Sequence, residues 1–115
     1  MHEYPITQQI IKIASEKGKE SNARKVTRID LVVGEYSGFV GDSIQMYFDE
    51  ISKGTLCEGA VLTIELIKAK WKCPHCQIFY IRKPLSFACP QCGQDGEPSE
   101  IGKEFFVKTI EIESV

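Results

Sequence analysis

Apolar residues recur at helical spacing near the start of the chain: Ile6, Ile10, Ile13 and Ala14 lie on one face, with Gln8, Gln9, Lys12 and Glu16 on the other. Pro5 suits the first turn, where its missing N–H is not needed. Gly18 stands near the expected end, and the polar run from Lys19 to Arg24 predicts helix fray and loop. On this reading Met1, His2 and Glu3 sit immediately before the helix, held close to the fold without being buried in it. From Val26 to Val33 the pattern changes to alternation, with Ile29, Leu31 and Val33 set against Arg28, Asp30 and Val32, which predicts a strand ending at Gly34.

Gly38 and Gly41 punctuate the loop that follows, and Asp42 with Gln45 resembles a capping box opening a second helix. Ile44, Tyr47, Phe48 and Ile51 form its apolar stripe, with Gly54 placed to stop it. After a turn at Glu58-Gly59, Ala60 to Ala69 alternates again, with Ala60, Leu62, Ile64 and Leu66 as one face. Cysteine, proline and glycine dominate from Lys70 to Gly102. Phe105 to Ile112 then resumes a strand pattern, with Phe106, Ile110 and Ile112 as the inward set.

The order is helix, strand, helix, strand, cysteine insertion, strand. This predicts an α+β fold, a two-layer sandwich of two helices on one face of a three-stranded sheet, with an inserted zinc-ribbon domain. Residues 1–69 and 103–115 form the α/β domain on this division, and residues 70–102 form the ribbon.

Composition narrows the function. The chain has 115 residues, enough for one compact domain carrying a small insertion, and its 43% hydrophobic content supports a core. Lys plus Arg is 14 against 16 for Asp plus Glu, a net charge of −2, which argues against a nucleic-acid footprint. No window is long and apolar enough to span a bilayer, and the first thirteen residues lack the signature of a signal peptide, so a cytoplasmic location is expected. The patterns G-x-S-x-G, G-x-x-x-x-G-K-[ST] and H-E-x-x-H are missing, which disfavours an enzyme.

Four of the five cysteines fall into two C-x-x-C knuckles, Cys73/Cys76 and Cys89/Cys92. In a chain without a leader this pattern points to metal thiolates rather than disulfides. Each knuckle presents two sulfurs on one side, and four thiolates satisfy tetrahedral zinc with no open position for water, so a structural role is expected. An iron tetrathiolate, as in a rubredoxin-like electron carrier, remains the alternative. Ile78, Tyr80 and Phe87 offer a small hairpin folding one knuckle over the other. His75, inside the first knuckle, reads as a partly exposed residue, and Cys57 as a small buried apolar one.

His2 has a chemical alternative to being an exposed terminal residue. The Met1 amine, the His2 amide nitrogen and the His2 imidazole can close adjacent chelate rings around one metal ion. Amide nitrogen binds only when deprotonated, which suits nickel or copper in square-planar geometry. Glu3 can supply a fourth ligand or orient the imidazole.

Met1-His2-Glu3-Tyr4, the Gly34-Glu35 strand end, the Glu58-Gly59-Ala60-x-Leu62 approach and the four-cysteine ribbon together resemble the HypA family of nickel metallochaperones for hydrogenase maturation. The resemblance covers essentially the whole chain, and Pro5 replaces the small hydroxyl residue common at that place. It implies Ni(II) as a transient cargo at Met1, His2 and Glu3, and structural Zn(II) at Cys73, Cys76, Cys89 and Cys92. It further implies a HypB-type GTPase and the hydrogenase large-subunit precursor as partners; no membrane or nucleic acid is expected, and the chain is expected as a monomer or homodimer. The competing reading is a zinc-ribbon adaptor that binds protein or nucleic acid, to which Lys68, Lys70, Lys72, Arg82 and Lys83 would contribute.

Overall fold

The computed structural model describes residues 3–115. Its elements are α1 (Glu3–Glu20), β1 (Ala23–Gly34), α2 (Gly41–Ile51), β2 (Val61–Ile67), β3 (Trp71–Lys72), β4 (Phe79–Tyr80), β5 (Glu97–Pro98) and β6 (Phe105–Ser114). The expected order is therefore observed. Strands β2, β1 and β6 form one sheet, with β1 central, parallel to β2 and antiparallel to β6. Helix α2 makes the crossover between the parallel pair, as the β-α-β connection requires.

The core lies between the helices and one face of this sheet. Ile10, Ile11 and Ala14 of α1 and Ile44 and Phe48 of α2 meet Val26, Ile29, Leu31 and Val33 of β1 and Leu62 of β2. Cys57 is fully buried in this cluster, and burial pushes its thiol pKa up. It behaves as the apolar residue expected of it.

Several facing assignments differ from the sequence reading, each for a local reason. The buried stripe of α1 runs through Glu3, Thr7, Ile10, Ile11, Ala14 and Gly18, so Ile11 points inward and Ile13 is 44% exposed. In β6 the inward side chains are Phe105, Val107, Ile110 and Ile112, and Phe106 faces out. The cause is a bulge: Asp30 pairs with Thr109 and Leu31 with Val107, so Lys108 is extra and the alternation changes phase there. Leu66, near the end of edge strand β2, is exposed. The Asp42–Gln45 capping box does not form. Val40 is the N-cap of α2 with no side-chain cap of its own, and the Gln45 amide instead donates to Asp49 at 2.9 Å.

On the helix-free face, the Asp30 carboxylate accepts hydrogen bonds from the Thr109 hydroxyl of β6 and from Arg28 Nε. These two contacts, Thr109 first, hold its pKa below the ordinary carboxylate value. A folded-state pKa below the unfolded one adds stability above the unfolded value of about 3.9, and that stability is lost as pH falls through the folded value.

Two stability results are expected. Phe48→Ala, which empties a 1% exposed core position, should cost about 3–5 kcal/mol in urea denaturation. Asp30→Asn should melt below the parent at pH 7, with the gap closing as the pH is lowered into the acid range. A gap independent of pH would refute the assignment of that stability to the ionised carboxylate.

Candidate metal centre

Two crossings of the chain carry the ribbon. The Tyr36 N–H donates to the Gly102 carbonyl and the Gly34 N–H to the Glu104 carbonyl, both at 2.6 Å. The Ala69 N–H donates to Glu35 Oε1 at 2.8 Å, and the Gly102 N–H to Glu104 Oε1 at 2.7 Å. Beyond this junction β4, β3 and β5 make a second small sheet with β3 in the centre. The first knuckle lies in the β3–β4 hairpin, and the second is closed by an Ala88–Asp95 bridge. The hairpin is thus made with Trp71-Lys72, whereas Phe87, instead of pairing in a strand, stacks on Trp71 at 4.8 Å between ring centroids.

The two knuckles share one backbone design. The Cys73 N–H donates to the Ile78 carbonyl, and the Cys73 carbonyl accepts from the Gln77 N–H; in the second knuckle Cys89 bonds Gln94 and Gly93 in the same way. The residue four after each leading cysteine takes positive φ, +78° at Gly93 and +61° at Gln77. Glycine reaches that region freely, while Gln77 holds it against a cost on the order of 1 kcal/mol. Tyr80, 6% exposed among the cysteines, locks the hairpin to the segment around the second knuckle. Its hydroxyl donates to the Phe87 carbonyl at 2.6 Å and accepts from the Gly96 N–H at 3.1 Å.

The Sγ atoms of Cys73, Cys76, Cys89 and Cys92 all lie within 4.8 Å of one another, and Cys73 and Cys92 are 3.6 Å apart. A zinc–sulfur distance near 2.3 Å sets tetrahedral edges of about 3.8 Å, so the cluster fits structural zinc. The electrostatics agree. Burial and the three neighbouring sulfurs push the Cys76 thiol up to about 12. Burial is the largest single influence on Cys89 and acts against its thiolate, but hydrogen bonds from the backbone N–H groups of Cys92 and Gln91 and from the Cys73 and Cys92 thiols together outweigh it and bring Cys89 down to about 7. Four sulfurs this close cannot all ionise without a cation among them. His75 is exposed and stands outside the four-sulfur group.

Of the residues assigned to a second metal, Met1 and His2 lie outside the described residues. Glu3 is the first residue of α1 and only 4% exposed, so it belongs to the fold more fully than a residue preceding a helix. Its Oε2 accepts from the Val40 N–H at 3.2 Å, and the Thr7 hydroxyl donates to its backbone carbonyl. A carboxylate thus stands at the N-terminus of α2, where the helix dipole favours negative charge. Tyr4, at the start of α1, meets Tyr47 in the second half of α2 edge-on at 5.4 Å. Sequence reasoning missed the Glu3–Val40 contact and the role of Tyr80; a Val40 N-cap with no acceptor of its own was the available signal for the first.

A family model described as "Hydrogenase/urease nickel incorporation, metallochaperone, hypA" matches residues 1–112. The hydrogenase maturation factor HypA of Caldanaerobacter subterraneus subsp. tengcongensis is 35% identical over 114 residues, covering 98% of this chain and 100% of that protein. The protein of the same name from Geobacter sp. (strain M21) is 40% identical over 113 residues, with 98% and 100% covered. The solution structure of the Ni metallochaperone HypA from Helicobacter pylori covers 100% of both chains with a TM-score of 0.67 at 24% identity, which shows a shared fold.

Cys73→Ser is expected to abolish stoichiometric zinc and make the ribbon segment protease-sensitive, while the β2–β1–β6 sheet stays folded. Metal quantification with limited proteolysis checks this, and full zinc retention would remove Cys73 from the site.

Proposed function

The chain belongs to the HypA family, and from that premise we propose that it binds Ni(II) through Met1, His2 and Glu3 and delivers it for maturation of a nickel–iron hydrogenase. One observation carries the reading: the nickel-incorporation family matches residues 1–112, a span that includes Met1, His2, Glu3 and all four ribbon cysteines. The likeness to relatives of the same length supports it.

The physical logic is that of a carrier. Cargo must be held against loss and then surrendered, and a terminal chelate allows ligands to be exchanged one at a time. Residues 1–69 with 103–115 serve as the nickel-binding domain in this proposal. Residues 70–102 serve as the zinc-ribbon domain, with Cys73, Cys76, Cys89 and Cys92 as the zinc ligands. Four thiolates saturate zinc, so this metal has a structural role, and the protein acts without catalysis of its own. A HypB-type GTPase and the hydrogenase large-subunit precursor are the proposed partners, in the cytoplasm. Glu3, committed to the Val40 N–H, anchors the chelating segment beside the start of α2.

Nickel affinity should fall as pH falls. Protons compete for the imidazole, with a reference pKa of about 6.5, and for the terminal amine, at about 7.7–8.0. Calorimetric nickel titration of protein with its native Met1 terminus, beside His2→Ala, tests the assignment with zinc quantified in both. Stoichiometric nickel binding lost in His2→Ala, with zinc retained and affinity in the parent weakening from pH 8 toward pH 6 (about these values, from the reference pKa range), is the expected result. Equal nickel binding by the two proteins would overturn it.

A further inference from the structure

A cavity of about 410 Å³ opens at the base of the ribbon, lined by Glu35, Tyr36, Lys68, Trp71, Ile81 and Arg82 among others. Among the described residues, two buried side-chain polar atoms have no hydrogen-bond partner, Trp71 Nε1 and Arg82 Nε, and both belong to residues of this lining. Both are donors, and neither can accept. The one carboxylate in the lining, Glu35, accepts the Ala69 N–H.

The charges around the cavity are unpaired in the same sense. Lys17, Arg24, Lys25, Arg28, Lys53, Lys103 and Lys108 all form ion pairs. Among the described residues, Lys68 and Arg82 of the lining form none, nor do Lys70, Lys72 and Lys83 near them in the chain, nor Lys12 and Lys19 of α1. Arg82 is nevertheless fixed in place. Its Nη1 donates to the carbonyls of Lys83 at 3.2 Å and Ser86 at 3.4 Å, and its guanidinium lies 5.0 Å from the Phe87 ring centroid. Nε is buried, so Nη2, which makes no hydrogen bond among the described residues, is the guanidinium donor left for a ligand.

From these unpaired cations we propose that the cavity is a docking site for an acidic peptide segment of a partner protein, its carboxylate held by the Arg82 guanidinium and Lys68. The surrounding surface suits a peptide that carries an apolar residue beside its acid. Ile81 is 57% exposed, and Leu85, next to the lining residue Pro84, is fully exposed at φ +61°. A single-stranded nucleic acid fits less well. Stacked bases need a series of open ring faces; Trp71 is stacked on Phe87, and Tyr36, 49% exposed, is the one open ring of the lining. The lining adds two cations, Lys68 and Arg82, on a chain whose net charge is −2, few for a phosphate backbone.

Trp71 is the sole tryptophan and reports on the cavity directly. The zinc-loaded full chain would be titrated with a synthetic peptide of alternating glutamate and leucine, with its glutamine counterpart, and with oligouridylate, following Trp71 emission. A saturable change with the acidic peptide, weakened by added salt and about tenfold or more by Arg82→Gln and by Lys68→Gln, is the expected result. Arg82→Gln also removes bonds to two backbone carbonyls. Lys68 makes no side-chain hydrogen bond among the described residues, so Lys68→Gln keeps the test independent of folding, with zinc content as the control. Equal affinity for the glutamine peptide, no response to the acidic one, or unchanged affinity in both variants would overturn the proposal. Tighter binding of oligouridylate would overturn it in favour of nucleic acid. The readout needs no nickel, so its failure is distinct from failure of the nickel reading.

Discussion

The ribbon is attached through a backbone approach that only glycine permits. A side chain at Gly34 would collide with the Gly102 carbonyl, and one at Gly102, where φ is +108°, would stand 2.5 Å from Ala69 Cα. Because neither residue has a Cβ, the end of β1 lies directly against both chain crossings. The N–H groups of Gly34 and Tyr36 then reach the carbonyls of Glu104 and Gly102. Glu35 and Glu104 finish the junction by accepting the N–H groups of Ala69 and Gly102. Each neutral hydrogen bond is worth only about 1 kcal/mol net, and those to charged groups somewhat more. Their value lies in acting together at one point, where two crossings separated by some thirty residues of chain (about that many by the ribbon's span) become a single seam. The metal cluster and the proposed docking cavity both inherit their position from it.

The architecture was legible in the sequence because it depends on periodicity. Ile29, Leu31 and Val33 alternate, Ile44 and Phe48 are one helical turn apart, and both patterns survive folding. The errors came where a single local event shifts the phase. The extra residue at Lys108 exchanges Phe106 for Phe105 and Val107 as the inward set. Composition carries no trace of such a bulge, since Lys108 is an ordinary strand residue on either reading. Ile11 and Ile13 are chemically equivalent, and only the docking angle of α1 determines which one meets the sheet.

The site divides in the same way. Two C-x-x-C knuckles are local features, each bringing two sulfurs to one side, and the small sheet with Tyr80 joins the pairs into the four-sulfur cluster. Tyr80 and Glu3 act instead over 7 to 37 residues of chain. Tyr80 takes its importance from carbonyl and amide partners that have no sequence identity to read. Glu3 meets Val40 because α1 and α2 start side by side. The acid expected to cap α2 from within, Asp42, is not the one used. A backbone N–H donates to any suitably placed carboxylate, and tertiary packing chose a distant one.

These contacts also join the two ends of the molecule. Glu3 meets Val40, the adjacent Phe39 packs on Phe105 at 4.6 Å between ring centroids, and Glu104, preceding Phe105, belongs to the ribbon seam. A continuous route therefore runs from the start of α1 to the ribbon. Contiguity alone does not make the route a signal, because coupling requires an element with two arrangements that both sites bias. The seam is a poor choice for that element, being fixed by glycine sterics and several hydrogen bonds at once. The start of α2 is a better one. Its N-cap draws a side-chain acceptor from another helix, so occupancy of the Glu3 carboxylate and the order of the first turn of α2 are linked by construction. The proposed nickel site would bias that element through Glu3, and any coupling to zinc in the ribbon would be reciprocal, each metal altering the other's affinity by the same factor.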